Sequence, residues 1–191
     1  ELTQILGTNE HEFETVKPIN LIKKMLFHIN NKNSLVLDFF AGSGTTGHAV
    51  LEMNKQDKGN RRFILCTNNE NKICEKLAYE RLKRVMNGYT TPTKERLVGL
   101  GNNLKYLKTS FVPKHVEYGL TDEARLELTR SANLLLALKE NTFIPVESAE
   151  QYEIFSSPSR MTGIYFTEDK IQLDKMFKSL KAKAKGKSVV V

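Results

Sequence analysis

Asp38, Gly42, Gly44 and Gly47 fall within one short stretch, SLVLDFFAGSGTTGHAVLEMN. An acid closing an apolar run and opening onto a glycine-rich bend can grip a small charged ligand. Glycine has no side chain to hold the ligand away from the backbone amides. Three ligand chemistries use such a bend. A phosphate loop requires Gly, four residues, then Gly-Lys-Ser/Thr. Gly42 and Gly47 have that spacing, but His48 and Ala49 stand where the lysine and the magnesium-binding hydroxyl belong. A dinucleotide fingerprint requires G-x-G-x-x-G after a strand and an acid about 20 residues further on. Gly42, Gly44 and Gly47 satisfy the first condition, and Glu70 comes near the second.

Asp38 separates the remaining options. A carboxylate at the strand end repels the pyrophosphate of a dinucleotide. It suits S-adenosyl-L-methionine, which carries an ammonium and a sulfonium and no phosphate. The acid would take the ammonium, beside the backbone amides of Gly42, Ser43, Gly44, Thr45 and Thr46. Two side-chain questions stay open at this level. Phe39 and Phe40 either wall the adenine ring or pack in the core. Thr45 and Thr46 either line the site or cap the next helix.

The flanking elements read as α/β. Leu21, Ile22, Met25, Leu26 and Ile29 repeat at helical spacing, with Pro18 in the first turn and Thr15 as cap. SLVLDFF is a short apolar strand, apparently buried on both faces as in a parallel sheet. Thr45 to Met53 form a helix with Ala49, Val50 and Met53 inward. RRFILC is a second strand. NENKICEKLAYERLKRVMNG is a single helix with a stripe of Ile73, Leu77, Leu82, Val85 and Met86, stopped by Gly88. Strand, helix, strand, helix implies a parallel sheet. YTTPTKERLVGLGNN reads as a loop, and LKYLKTSFV as a returning strand. A long helix capped by Thr121 follows, then strands YEIF and GIYF, a helix from about 168 to 183, and a last strand SVVV.

The totals narrow the function. A chain of 191 residues with 40% hydrophobic and 27% charged content can bury a core. Its net charge of +7 favours anionic partners, nucleic acid first. Part of that charge sits in KSLKAKAKGKS, which reads as a solvated helix end. Cys66 and Cys74 make neither a disulfide framework nor a zinc site and read as packing residues, consistent with a cytoplasmic compartment. His11, His28, His48 and His115 show no metal spacing, so no metal is expected. No apolar run is long enough for a membrane span. G-x-S-x-G does not occur, and no leader is visible before the first strand.

DFFAGSGTTGHAV resembles the cofactor motif of amino-methylating DNA methyltransferases, which modify adenine N6 or cytosine N4. FETVKPINLIKKML resembles the helix motif that precedes the cofactor strand in the permuted, beta class. RRFILCTNNENKICEKLAYERLKRVMNGY and GNNLKYLKTSFV are similar to segments of the modification subunits of type III restriction-modification systems. The resemblance implies a partial Rossmann-like methyltransferase sheet over residues 1–118 and a C-terminal α/β accessory region over 119–191. It implies S-adenosyl-L-methionine as cofactor, held by Asp38, Phe39, Phe40, Gly42, Ser43, Gly44, Thr45 and Thr46. Lys17 and Pro18 would lie near the methionine carboxylate. Glu70 either takes the ribose hydroxyls or only favours the helix dipole. Implied partners are DNA, a second modification subunit and a restriction subunit.

One departure is large. The family's Asp/Asn/Ser-Pro-Pro-aromatic motif, which holds the flipped base, requires adjacent prolines. The five prolines, at 18, 92, 113, 145 and 158, are never adjacent. No catalytic residue is therefore assigned. The chain is expected to be the C-terminal part of a longer enzyme and inactive alone. A methyltransferase for RNA, protein or cytosine N4 is the alternative, and a nicotinamide or flavin domain a more distant one.

Overall fold

The computed structural model describes residues 1–8, 15–29, 31–109, 121–167 and 169–191, without the side chain of Leu126. His11, Phe13, Pro113, His115, the end of the expected strand LKYLKTSFV and the expected boundary at 118/119 lie outside the described residues. The chain divides into two compact units, Glu1–Tyr106 and Leu107–Val191. Both mix helices with strands, and the first contains a parallel strand pair.

In the first unit, helix α1 (Leu2–Leu6) was not expected from the sequence. It buries Ile5 against Leu51, Leu82, Val85 and Met86. Helix α2 spans Ile19–Phe27. Pro18 sits one residue before it with extended backbone, so Thr15 is not the cap. Ile19 and Leu26 are buried, whereas Leu21, Met25 and Ile29, expected inward, are exposed.

Strands β1 (Leu35–Asp38) and β2 (Arg62–Leu65) pair in parallel, with Asp38 opposite Leu65. Helix α3 (Thr45–Asp57) crosses between them and buries Ala49, Val50 and Met53 as expected. These three residues pack with Ile19, Leu26, Val36 and Phe63. The expectation that β1 is buried on both faces is corrected. Val36 turns toward α3, while Leu35, Leu37 and Ile64 are each about half exposed. One face of the pair is covered and the other is open.

The expected single helix after β2 is three helical segments in sequence. A 3-10 turn covers Glu70–Lys72, a π-helix Ile73–Tyr79, and α4 covers Glu80–Asn87. Asn71 and Lys72 hold left-handed φ values of 50° and 58°, an uncommon and strained choice for non-glycine residues. Leu82, Val85 and Met86 are buried as expected, and Gly88 ends the helix with φ of 87°. The stretch expected as a loop contains an antiparallel hairpin, β3 (Gly88–Thr90) and β4 (Arg96–Val98). Residues 104–109 form no strand.

The second unit begins with α5 (Asp122–Glu140), whose Thr121 side chain accepts the Ala124 N–H at 3.1 Å. Strands β5 (Ile144–Ser148), β6 (Tyr152–Ser156), β7 (Arg160–Tyr165) and β8 (Ser188–Val190) lie in that order in one sheet. The pairings are antiparallel except β7 with β8, which α6 (Lys170–Ala184) connects in parallel. Tyr152, Ile154 and Met161 face Met176, Leu180 and Ala184 of α6. The alternate residues Phe155 and Ile164 pack with Ala137 of α5. Strand periodicity thus puts a helix on each face of this sheet. Among the described residues no helix is long and apolar enough to cross a membrane.

Candidate functional site

Parallel pairing brings the C-terminal ends of β1 and β2 side by side, because Asp38 and Leu65 are partners. The chain leaves β1 through Phe39 and Phe40 and is anchored back to β2 at once. Cys66 donates its N–H to the Asp38 carbonyl at 2.8 Å, and Ala41 donates to the Cys66 carbonyl at 3.1 Å. Gly42 and Gly44 then take φ of 51° and 76°, the left-handed region that glycine reaches without steric cost. This bend turns the chain into α3, where the first backbone N–H groups have no intrahelical acceptor.

Both oxygens of the Asp38 carboxylate are oriented by the bend. Oδ1 accepts the Phe40 N–H at 2.9 Å, and Oδ2 accepts the Thr46 hydroxyl at 2.6 Å. A carboxylate offers about four lone-pair sites. Two are used, so the group keeps acceptor capacity for a cation. Phe39 is 64% exposed and Phe40 93%, so neither is a core residue. The helix-cap role for Thr45 and Thr46 is also corrected. Gly44 occupies the cap position and no side chain caps α3. The Thr46 hydroxyl donates to Asp38, and the Thr45 hydroxyl accepts from Arg81.

The structure therefore joins Asp38, Phe40 and Thr46 directly and carries Gly42, Ser43, Gly44 and Thr45 in the same bend. Glu70 is exposed after β2, accepting from the Asn68 side chain at 3.2 Å. Lys17 and Pro18 are exposed before α2. Pro18 lines a cavity of about 290 Å³ together with His48, Glu52 and Tyr89. That cavity contains none of the other nominated residues. Cys66, read as a packing residue, is exposed, and Cys74 is half-buried.

Arg81 and His48 were not assigned a role from the sequence. Arg81 of α4 is 0% exposed. Its Nη1 donates to Thr45 Oγ1 at 2.8 Å and to Ser43 Oγ at 3.3 Å, and its Nη2 pairs with Glu1 at 3.0 Å. His48 accepts from Arg81 through Nδ1 at 3.4 Å, and its Nε2 lies 3.3 Å from Glu52. Burial, reinforced by the Arg81 cation, lowers the His48 pKa to about 4. The imidazole is therefore neutral near pH 7, with its proton on Nε2 facing Glu52. A signal for Arg81 existed in the sequence. It lies four residues after Leu77 and four before Val85, on the apolar stripe itself.

The first unit thus sets a carboxylate at the lip of a glycine bend, between the end of a parallel strand and the start of a helix. The sequence of this unit places it more closely: residues 2–110 match the DNA methylase family (N6_N4_Mtase), and the chain belongs to that family. Among curated relatives, the Type III restriction-modification enzyme StyLTI Mod subunit of Salmonella typhimurium is 43% identical over 89 residues, 44% of this chain and 13% of the relative. The EcoPI Mod subunit of Escherichia phage P1 is 47% identical over 70 residues, 37% of this chain and 10% of the relative. The Type II methyltransferase M.KpnI of Klebsiella pneumoniae is 39% identical over 80 residues, 42% of this chain and 19% of the relative. The chain thus spans less than a fifth of the length of each of these relatives.

Proposed function

We propose that the first unit supplies most of the S-adenosyl-L-methionine site of a DNA adenine-N6 methyltransferase of a type III restriction-modification system. The observation that carries this reading is the Asp38 carboxylate, fixed by the Phe40 N–H and the Thr46 hydroxyl at the mouth of the bend. Its spare acceptor sites suit the ammonium of the methionine end. The exposed Phe39 and Phe40 rings offer apolar surface to the adenine. Glu70 is the carboxylate available to the ribose hydroxyls. Lys17 and Pro18, before α2, serve the methionine carboxylate, as helix starts favour anions. The bound cofactor supplies an electrophilic methyl group on a sulfonium, with a neutral thioether as leaving group.

The chain has no adjacent prolines, so groups that accept hydrogen bonds from the target amine must come from outside these 191 residues. The half-exposed face of β1 and β2 gives that missing part a surface to cover. Alone, the chain binds cofactor and transfers no methyl group. In the whole enzyme its partners are duplex DNA, a second modification subunit and a restriction subunit.

Calorimetric titration tests the site. S-adenosylhomocysteine should bind, and NAD or FAD should not compete with it. A diphosphate nucleotide that outcompetes S-adenosylhomocysteine would sink the assignment. For the enzyme encoded with its remaining segments, methyl transfer to adenine N6 of duplex DNA is expected. Transfer to RNA, protein or cytosine N4 instead would redirect it.

A further inference from the structure

We propose that Arg81 is a positioning residue of the cofactor bend: it holds the back of the bend so that the front presents Asp38 and the first α3 amides to the ligand. This rests on the cofactor reading above. The geometry is two-sided. Thr45 and Thr46 are consecutive, yet their hydroxyls have different partners, one at the end of β1 and one on α4. Thr46 donates to Asp38 Oδ2 at 2.6 Å. Thr45 accepts from Arg81 Nη1 at 2.8 Å. The same nitrogen lies 3.3 Å from the Ser43 hydroxyl and 3.5 Å from the Ser43 carbonyl, so one fork of the guanidinium holds the two residues that flank Gly44.

The rest of the guanidinium is occupied as well. Nη2 pairs with Glu1 at 3.0 Å, and Nε donates to His48 Nδ1 at 3.4 Å. Taking a cation wholly out of water is costly, and only close pairing offsets that cost. Three directed contacts to the bend and the start of α3 are a use that an apolar side chain could not supply. Glycine at 42 and 44 makes the bend possible and also leaves it soft. Without a tether behind it, Thr46 and the Asp38 carboxylate lose their fixed relation. Lysine carries the charge but not the fork, so it cannot hold Thr45, Ser43 and Glu1 together.

The test uses the 191-residue chain with two ligands. S-adenosylhomocysteine carries the amino-acid end, and 5′-methylthioadenosine shares its adenosine but lacks that end. Arg81→Lys and Thr45→Val should each weaken S-adenosylhomocysteine by about tenfold while changing methylthioadenosine by less than about twofold. Equal losses for both ligands, or no loss for either, would overturn the role of Arg81 and leave the cofactor site standing. If the parent chain binds neither ligand, the cofactor reading falls and the positioning role falls with it. Amide exchange in the ligand-free chain then reports whether Arg81 tethers the bend: exchange at residues 44–46 should quicken about tenfold in Arg81→Lys. β6 and β7 of the other unit serve as an unchanged internal reference.

Discussion

The two units solve the same problem, a small sheet with apolar faces, in different ways. The sheet of β5 to β8 is closed by its own chain, with α6 on one face and α5 on the other. The β1–β2 pair is closed on one face only, and Leu35, Leu37 and Ile64 stay half exposed on the other. Their polar clusters differ in the same sense. In the second unit, Glu147 accepts from Tyr152, Ser179 and Lys183, which ties β5 to β6 and α6. In the first, buried Arg81 is directed at the glycine bend. One unit uses its polar contacts to complete itself. The other directs them at a glycine bend beside a sheet face that stays open.

The sharpest break of this contrast is a core truncation. Met176 is fully buried between α6 and the sheet, and Met176→Ala should cost the second unit about 3 kcal/mol. Loss of amide protection in β6 and β7, with β1 and β2 unaffected, is the expected readout. The next effect concerns ligand and not stability. Asp38→Ala should weaken S-adenosylhomocysteine by about a hundredfold, or ~2.7 kcal/mol. Unchanged affinity in a calorimetric titration would remove Asp38 from the site.

Acid should separate the units further. The folded pKa of His48 is about 4, below its ordinary 6.5. The unfolded chain therefore binds more protons between those values. Stability of the first unit is full above pH 6.5 and falls as pH drops toward 4, by on the order of 2 kcal/mol. His48→Gln should flatten that slope in thermal melts. Hydrogen bonds from Lys183, Ser179 and Tyr152 lower the Glu147 pKa to about 2. Its contribution to the second unit is present above pH 4.5 and disappears only as pH falls through 2. Melting both units from pH 7 to 2 should show the first unit failing earlier. The smallest effect is Leu37→Ser on the open face, within about 0.5 kcal/mol for this chain. A loss comparable to that of Met176→Ala would mean the face is not open.

Much of this was legible in the residues. The parallel pair, α3 with its inward Ala49, Val50 and Met53, the Thr121 cap, and the strand–helix–strand ending of the chain follow local period and capping rules. The place of Asp38 at the end of β1 was legible because it closes an apolar run. What stayed hidden depends on distant partners. The run LVL is apolar at every position, so it cannot reveal that only one face is covered. α1 is too short at Leu2–Leu6 to show a period. β3 and β4 are three residues each and depend on one another. β5 carries Pro145 and a register shift, which blur alternation. The π-helix from Ile73 to Tyr79 keeps an apolar pattern that looks α-helical until Asn71 and Lys72 are seen in left-handed backbone. The part Arg81 plays stayed hidden because its partners Ser43, Thr45 and Glu1 lie far from it in the sequence.

Gly47 has a bearing on how glycine patterns are read. A methyl group there would come within 2.9 Å of Leu82 Cδ2 and 3.0 Å of Leu65 Cδ1. The last glycine of the triplet is thus a spacer that lets a helix, its neighbouring helix and a strand come together. Any protein that needs the same close stacking can converge on the triplet, whatever it carries. At this position the glycine pattern reports packing, and the acid that closes β1 is a separate feature that a search on the glycines alone leaves unweighed.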